Sequence, residues 1–249
     1  MATWGHLSGG AGTELRSRWE EPAISTAGAT QEKRLYFRAK RIMDFAIAAL
    51  ALIALIPLLA LIALAIKINS PGPVIFRQER MGWDWRKRRL RPFVMLKFRT
   101  MYDNCDQNVH RKFVQKWAEE SNGTGGTNEH VKTKEMALDR RVTKAGRLLR
   151  KASLDELPQL WNVLKGNMSL VGPRPVPLYE AELYQPWQRL RLEATPGITG
   201  LWQVTARGQV SLNEWVRLDV EYITRQSLGL DLQILVRTVP VVIIGRGAV

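Results

Sequence analysis

Two adjacent carboxylates, Asp155 and Glu156 in Ser153-Leu-Asp-Glu-Leu-Pro-Gln-Leu-Trp-Asn162, lie a few residues after Arg147, Arg150 and Lys151. A carboxylate in the first turn of a helix is kept ionised by the free N–H groups there and can act as a nucleophile. Guanidinium and ammonium groups beside it can neutralise phosphate oxygens. Arg174 adds a cation in Gly172-Pro-Arg-Pro175, where a proline on either side restricts the backbone and aims the guanidinium at little entropic cost. Lys97 and Arg99 flank Phe98, so in a strand both face the same way and form a paired basic surface. Each feature also has a plainer reading: Ser153 to Glu156 as a capping box, Arg174 as a surface turn residue, Lys97 and Arg99 as a solvated strand face. The three histidines, His6, His110 and His130, fall in polar or loop-like stretches, which argues against a Ser-His-Asp triad or a histidine metal site. Carboxylates and cations must carry any chemistry.

The elements that position these residues begin with a stretch, 1 to about 32, that has no apolar periodicity and is expected to be a disordered tail. From Phe45 to Ile66 there is no charged or strongly polar residue, and a run of that length can cross a bilayer. Basic residues flank it on both sides, so the positive-inside rule gives conflicting answers for a simple span. Pro57 in its middle permits either a helix-break-helix that enters and leaves by one face or a single kinked transmembrane helix. Ser70-Pro-Gly-Pro73 then turns the chain into a short strand, Val74 to Phe76, and a second strand is expected around 92–101. Residues 103 to about 136 read as helix, loop and helix.

Further on, a helix over 144–151 is followed by one starting at Ser153 and ended by Gly166. Three prolines force 171–177 into an extended turn. The pattern predicts a helix over 178–193, a loop over 195–200 and a short strand over 202–205. An amphipathic helix over 212–227, which carries the candidate ligand Asp219, and an apolar helix over 231–244 complete the chain. That last helix could lie on a membrane or pack against a second copy, making a homodimer. Most of the tryptophans at 83, 85, 117, 187, 202 and 215 fit headgroup depth better than a sugar site.

Composition bounds the partners. The 249 residues carry 37 Lys and Arg against 23 Asp and Glu, a formal charge of +14, which calls for an anionic partner: nucleic acid, phosphate-bearing substrates or an acidic lipid surface. No helix-turn-helix, RNA-binding sheet or zinc motif is visible, so nucleic acid is not expected. Cys105 is the sole cysteine, which excludes an intramolecular disulfide and fits a reducing compartment.

Six ordered segments together resemble the bacterial polyprenyl-phosphate sugar-1-phosphate transferases of the monotopic superfamily. They are Lys40-Arg-Ile-Met-Asp44 before the apolar run, Ser70-Pro-Gly-Pro-Val-Ile-Phe-Arg-Gln78, Lys97-Phe-Arg-Thr-Met101, Ser153 to Asn162, Met168-Ser-Leu-Val-Gly-Pro-Arg-Pro175 and Pro196-Gly-Ile-Thr-Gly200. The resemblance spans about 38–247 and departs from the commoner pattern at the basic segment 82–89. It implies a mostly α protein with short β elements: a re-entrant membrane helix-break-helix over 35–69, broken at Pro57, and a small α/β cytosolic catalytic domain over 70–249 with interfacial amphipathic helices. The chain would sit on the cytoplasmic face of the bacterial inner membrane, beside anionic lipid. The resemblance also implies that Asp155 attacks the β-phosphorus of a UDP-sugar, releases UMP and forms a covalent phosphosugar intermediate. Polyprenyl phosphate then attacks that intermediate, with Glu156 as general base. Mg²⁺, with Asp155 as a ligand, would neutralise the diphosphate. Arg174 would hold phosphate, and Lys97, Arg99, Arg147, Arg150 and Asp219 are grouped with it as substrate-binding candidates.

Overall fold

A computed structural model describes residues 31–103, 111–112, 114–115, 139–205 and 212–244. The expected tail lies almost wholly outside these residues, as do the three histidines, Cys105 and nearly all of the polar segment 103–136. The described chain is mostly helical with a few short strands. Its elements are α1 (Gln31–Asn69), β1 (Ile75–Asp84), β2 (Arg89–Phe98), α2 (Lys144–Lys151), α3 (Gln159–Lys165), β3 (Ser169–Val171), α4 (Leu178–Ala181), α5 (Pro186–Arg189), β4 (Gly197–Thr199), α6 (Leu201–Thr205), α7 (Leu212–Arg225) and α8 (Leu228–Ile244). Single 3₁₀ turns occupy Leu154–Glu156 and Leu190–Leu192.

α1 is long and apolar enough to cross a membrane, and only 11% of its most apolar window is buried. Helical geometry runs through Pro57 without dividing α1 into two elements, so the predicted break is not seen as such. One stripe docks on the rest of the protein along almost the whole helix. Ala48, Leu52 and Leu55 join the central core with Phe93, Met95, Leu160, Val163 and Ile234, while Ile62 and Ile66 pack on Phe98 and Leu149. The recurrence at three and four residues is that of one helix face. The other face bares Ile42, Leu50, Ile53, Leu61, Leu64 and Ile68.

Polar pins fix the first turns of α1. Lys40 Nζ meets Asp231 on α8 at 2.8 Å, and Tyr36 and Tyr222 donate hydroxyls to the same carboxylate at 2.9 and 2.6 Å. Asp44 accepts from Ser169 Oγ and Leu170 N, and Arg41 donates to the last carbonyls of α3, at Val163 and Leu164. Burying Lys40 and Asp44 is tolerated only because each is paired or hydrogen-bonded. Lys40-Arg-Ile-Met-Asp44 is therefore a docking motif, with its three charged residues directed to three different elements.

β1 and β2 form an antiparallel hairpin in the register Ile75↔Phe98 to Asp84↔Arg89, longer than the short strand expected. Its edge continues onto the proline segment through Met81 N to Val176 O at 2.9 Å. The predicted strand at 202–205 is instead helix α6, and the predicted helix over 178–193 is broken into α4, α5 and a 3₁₀ turn. Pro186 opens α5 and lacks the N–H that a continuous helix would need there. β3 and β4 pair in parallel at a point where glycines meet backbone to backbone. A Cβ on Gly172 would lie 2.3 Å from Thr195 O, and one on Gly197 would lie 2.1 Å from Gly172 N. The Val-Gly-Pro-Arg-Pro and Pro-Gly-Ile-Thr-Gly motifs are thus two halves of one contact.

Candidate active site

α2 is capped by Thr143, whose Oγ1 accepts from Gly146 N, and at its end Ser153 turns into the left-handed region at φ 56°. Ser153 makes no side-chain cap bond, so the capping box is absent. Asp155 and Glu156 lie in a one-turn 3₁₀ segment that Pro158, at the start of α3, does not continue. Stripped of a helix N-terminus, the carboxylates take their electrostatics from side chains.

Those side chains come from two other elements. Lys97, second to last in β2, places Nζ 2.8 Å from Glu156 Oε1 and 3.8 Å from Asp155 Oδ2. Arg174, in the proline segment, reaches the same Glu156 Oε1 at 2.8 Å. Burial favours a protonated Glu156, but Arg174 and Lys97 outweigh it and hold the carboxyl well below the usual range. Asp155 is treated in the opposite way. Burial pushes it above the usual aspartate value, Glu156 adds to the rise, and Lys97, Arg174 and Arg150 only partly offset it. This reverses the expectation of a carboxylate kept ionised by a helix end. It leaves the more basic of two adjacent carboxylates with only the longer contact to Lys97, an arrangement suited to a nucleophile. Burial lowers Lys97, and Glu156 raises Arg174.

The predicted cations separate. Arg150, half-buried, donates from Nε to Thr100 Oγ1 and acts on Asp155 through its charge. Arg147 is exposed on α2 and is not brought to the pair. Arg99 is a correction. It follows the last residue of β2, and its guanidinium is buried against Pro71 O, Ser70 O and Ser70 Oγ at 2.7 to 2.9 Å, pinning the turn that leaves α1. Asp219 is another. It is fully buried on α7 against Arg191, at 2.7 Å, rather than open to substrate, because the amphipathic face that carries it packs inward. Burial lifts Asp219 to about 6 in spite of the arginine.

Two arginines singled out by no motif complete the support. Arg191 Nη2 donates to Arg174 O at 3.2 Å, and Arg80 Nη1 donates to Pro175 O at 3.2 Å. Gly197 N donates to Pro173 O at 2.8 Å. The backbone that presents Arg174 is thereby held at three successive carbonyls. Arg80 was visible only as one of the basic residues that flank the apolar run on its C-terminal side. What distinguishes it is burial, which the sequence does not display.

Among the described residues, no group of three or more His, Cys, Asp or Glu side chains is gathered, so a cage made by the protein alone is not offered. Mg²⁺ is commonly held by one or two carboxylates together with substrate phosphates. Asp155 and Glu156 match that donor set.

The sequence that builds this site is similar to those of known proteins. Residues 35–245 match the family model described as bacterial sugar transferase. Over 210 residues the chain is 40% identical to the exopolysaccharide production protein ExoY of Sinorhizobium fredii, covering 84% of this chain and 88% of that protein. It is 42% identical to the UDP-glucose:undecaprenyl-phosphate glucose-1-phosphate transferase of Caulobacter vibrioides, over 81% of this chain and 68% of that one. Identity to the undecaprenyl-phosphate galactose phosphotransferase of Salmonella typhimurium is 41%, over 71% of this chain and 35% of that longer protein.

Proposed function

The chain belongs to the bacterial sugar transferases, and from that membership we propose that it moves a sugar-1-phosphate from a UDP-sugar to a polyprenyl phosphate such as undecaprenyl phosphate, an early membrane step of glycan assembly. The observation that carries the reading is the carboxylate pair Asp155 and Glu156 facing Lys97 and Arg174, with Arg150 nearby. Two relatives act, by their names, on undecaprenyl phosphate.

In the first step an Asp155 carboxylate oxygen attacks the β-phosphorus of the UDP-sugar. The bond from that phosphorus to the oxygen bridging the two phosphates breaks, and UMP leaves with the electron pair. An acyl phosphate joins Asp155 to the sugar phosphate. In the second step a phosphate oxygen of the polyprenyl phosphate attacks the same phosphorus and the Asp155 carboxylate departs, leaving a polyprenyl diphosphate sugar. Lys97 and Arg174 stabilise charge as it moves onto UMP, without proton transfer. While both cations hold Glu156 it is a weak base. It gains basicity as incoming phosphates draw Lys97 and Arg174 away, which fits a role in the second step. Mg²⁺, if held by Asp155 and Glu156 with the diphosphate oxygens, would supply further charge neutralisation.

The placement proposed for α1 is within one leaflet, entering and leaving by the cytoplasmic face. What supports it is docking at both ends. A spanning helix would draw the polar domain through a hydrocarbon layer roughly 30 Å thick, whereas α1 touches that domain from Tyr36 to Ile66. Pro57, which removes one helical hydrogen bond, favours a bend there.

The test is UMP release by the reconstituted protein, with Mg²⁺, undecaprenyl phosphate and a panel of UDP-sugars. One sugar should yield UMP and Asp155→Asn should abolish it. Absence of UMP with every sugar, from folded and membrane-inserted protein, would sink the reading.

A further inference from the structure

A second cationic site lies at the far end of the hairpin. Between the β1–β2 tip, the first turns of α1 and the end of α3 is a cavity of about 210 Å³. Arg41, Arg86, Arg91 and Lys165 converge on it from separate stretches of the chain, and Trp83 and Trp85 frame it. Arg91 and Lys97 are six residues apart on β2, about 20 Å at 3.3 Å per residue, so the cavity is well removed from the carboxylate pair.

The cavity is organised before anything binds. Arg41 is held in place by the carbonyls of Val163 and Leu164. Gly166, left-handed at φ 77°, ends α3 without a side chain to fill the space. Phe37 of α1 stacks on Trp85 at 5.6 Å between ring centroids, tying the hairpin tip to the membrane helix, and Arg86 lies over the same indole. Among the described residues none of the four cations has an ion-pair partner. The nearby carboxylate, Asp84, accepts from the turn amides of Arg86 and Lys87. Asp84 on the lining and Asp44 beside Arg41 offset only part of the four positive charges around this concavity, and the remaining excess calls for a compact anion.

Position names its source. Arg41 is followed directly by Ile42 and lies one turn before Phe45, both bare apolar side chains of α1. Tryptophans with basic side chains at the start of an apolar helix are the usual furniture of headgroup depth.

We infer that the cavity formed by Arg41, Arg86, Arg91 and Lys165 binds the phosphodiester headgroup of an anionic phospholipid and so sets the depth and tilt of the hairpin on the membrane. This rests on the one-leaflet placement of α1 but not on the transfer chemistry.

The test is hydrogen exchange on the full chain in nanodiscs of phosphatidylcholine, with and without phosphatidylglycerol. Phosphatidylglycerol should slow exchange at 82–91 and 163–167. Arg86→Gln with Arg91→Gln should abolish that effect, while the equally charge-reducing pair Lys144→Gln with Lys151→Gln should preserve it. Equal exchange in the two lipids overturns the site. An effect lost in both double variants shows general charge attraction and also overturns it. Protection by soluble glycerol phosphate in phosphatidylcholine discs would reassign the cavity to a free anion. Fast exchange of 44–66 in either disc would instead defeat the membrane placement itself.

Discussion

Glu156 is gripped at one oxygen by two cations while its neighbour Asp155 is not, and the difference sets what each can do. A nucleophilic Asp155 must be ionised. Its pKa is raised in the fold, so single-turnover UMP release should fall as pH drops through a value above the ordinary aspartate figure of about 3.9. Lys97 lowers that pKa, so Lys97→Met should move the acid limb to higher pH as well as slow the step. A limb that stays in place would show that Asp155 does not feel Lys97. The grouping of Asp155, Glu156, Lys97 and Arg174 was legible in the sequence because each sits in a short motif whose neighbours restrict it. Arg99 was misread because strand alternation gives the side a residue faces but not what waits there, in this case the carbonyls of Ser70 and Pro71. Arg80 and Arg191 were missed because an arginine's role depends on burial by distant parts of the chain.

Elements meet at Arg174 through contacts that mutation can separate. Arg191, on the 3₁₀ turn after α5, joins Asp219 of α7 to the carbonyl of Arg174, and its ring neighbours Tyr184 and Trp215 enclose it. Arg191→Met would leave a buried carboxylate unpaired, at a cost of about 3–5 kcal/mol, and loosen the segment that carries Arg174. Thermal unfolding in detergent should show a lower Tm, and UMP release should slow. Adding Asp219→Asn should restore much of the Tm but not the rate, because only the stray charge is cured. Equal recovery of both would mean that Arg191 serves stability alone. Gly172→Ala should cost about 3 kcal/mol or more, since the obstacle is the backbone at Thr195 and Gly197 rather than a movable side chain, and the same melts would register it. At this scale α2, the stop at Gly166, the extended 171–177 segment, α7 and α8 followed from periodicity and from proline and glycine. The failures were local competitions: Trp202 to Thr205 has strand-like residues but turns helical where α6 packs with α7 and α8. Pro158 restarted as a separate helix what looked like a continuous one.

For the whole molecule, the placement of α1 is read from which side of the membrane its two ends can be reached. Cysteines introduced one at a time at Leu35 and Lys67, in a Cys105→Ser background, should both be shielded from a membrane-impermeant thiol reagent in intact spheroplasts and both react after lysis. Labelling of one end from outside would establish a span. The apolar run was plain in the sequence. Its docking stripe was not, since an all-apolar helix offers no contrast between covered and bare faces. Arg99 gains a different meaning in this light. Two residues after the lysine that faces the carboxylate pair, it grips the turn where α1 ends, so the carboxylate pair and the apolar helix are joined through the end of one strand. Such a joint works as a height gauge. On the proposed placement it holds Asp155 at one level above the hydrocarbon, where a phosphate tethered to a lipid arrives by sliding in two dimensions and a soluble donor must descend to meet it.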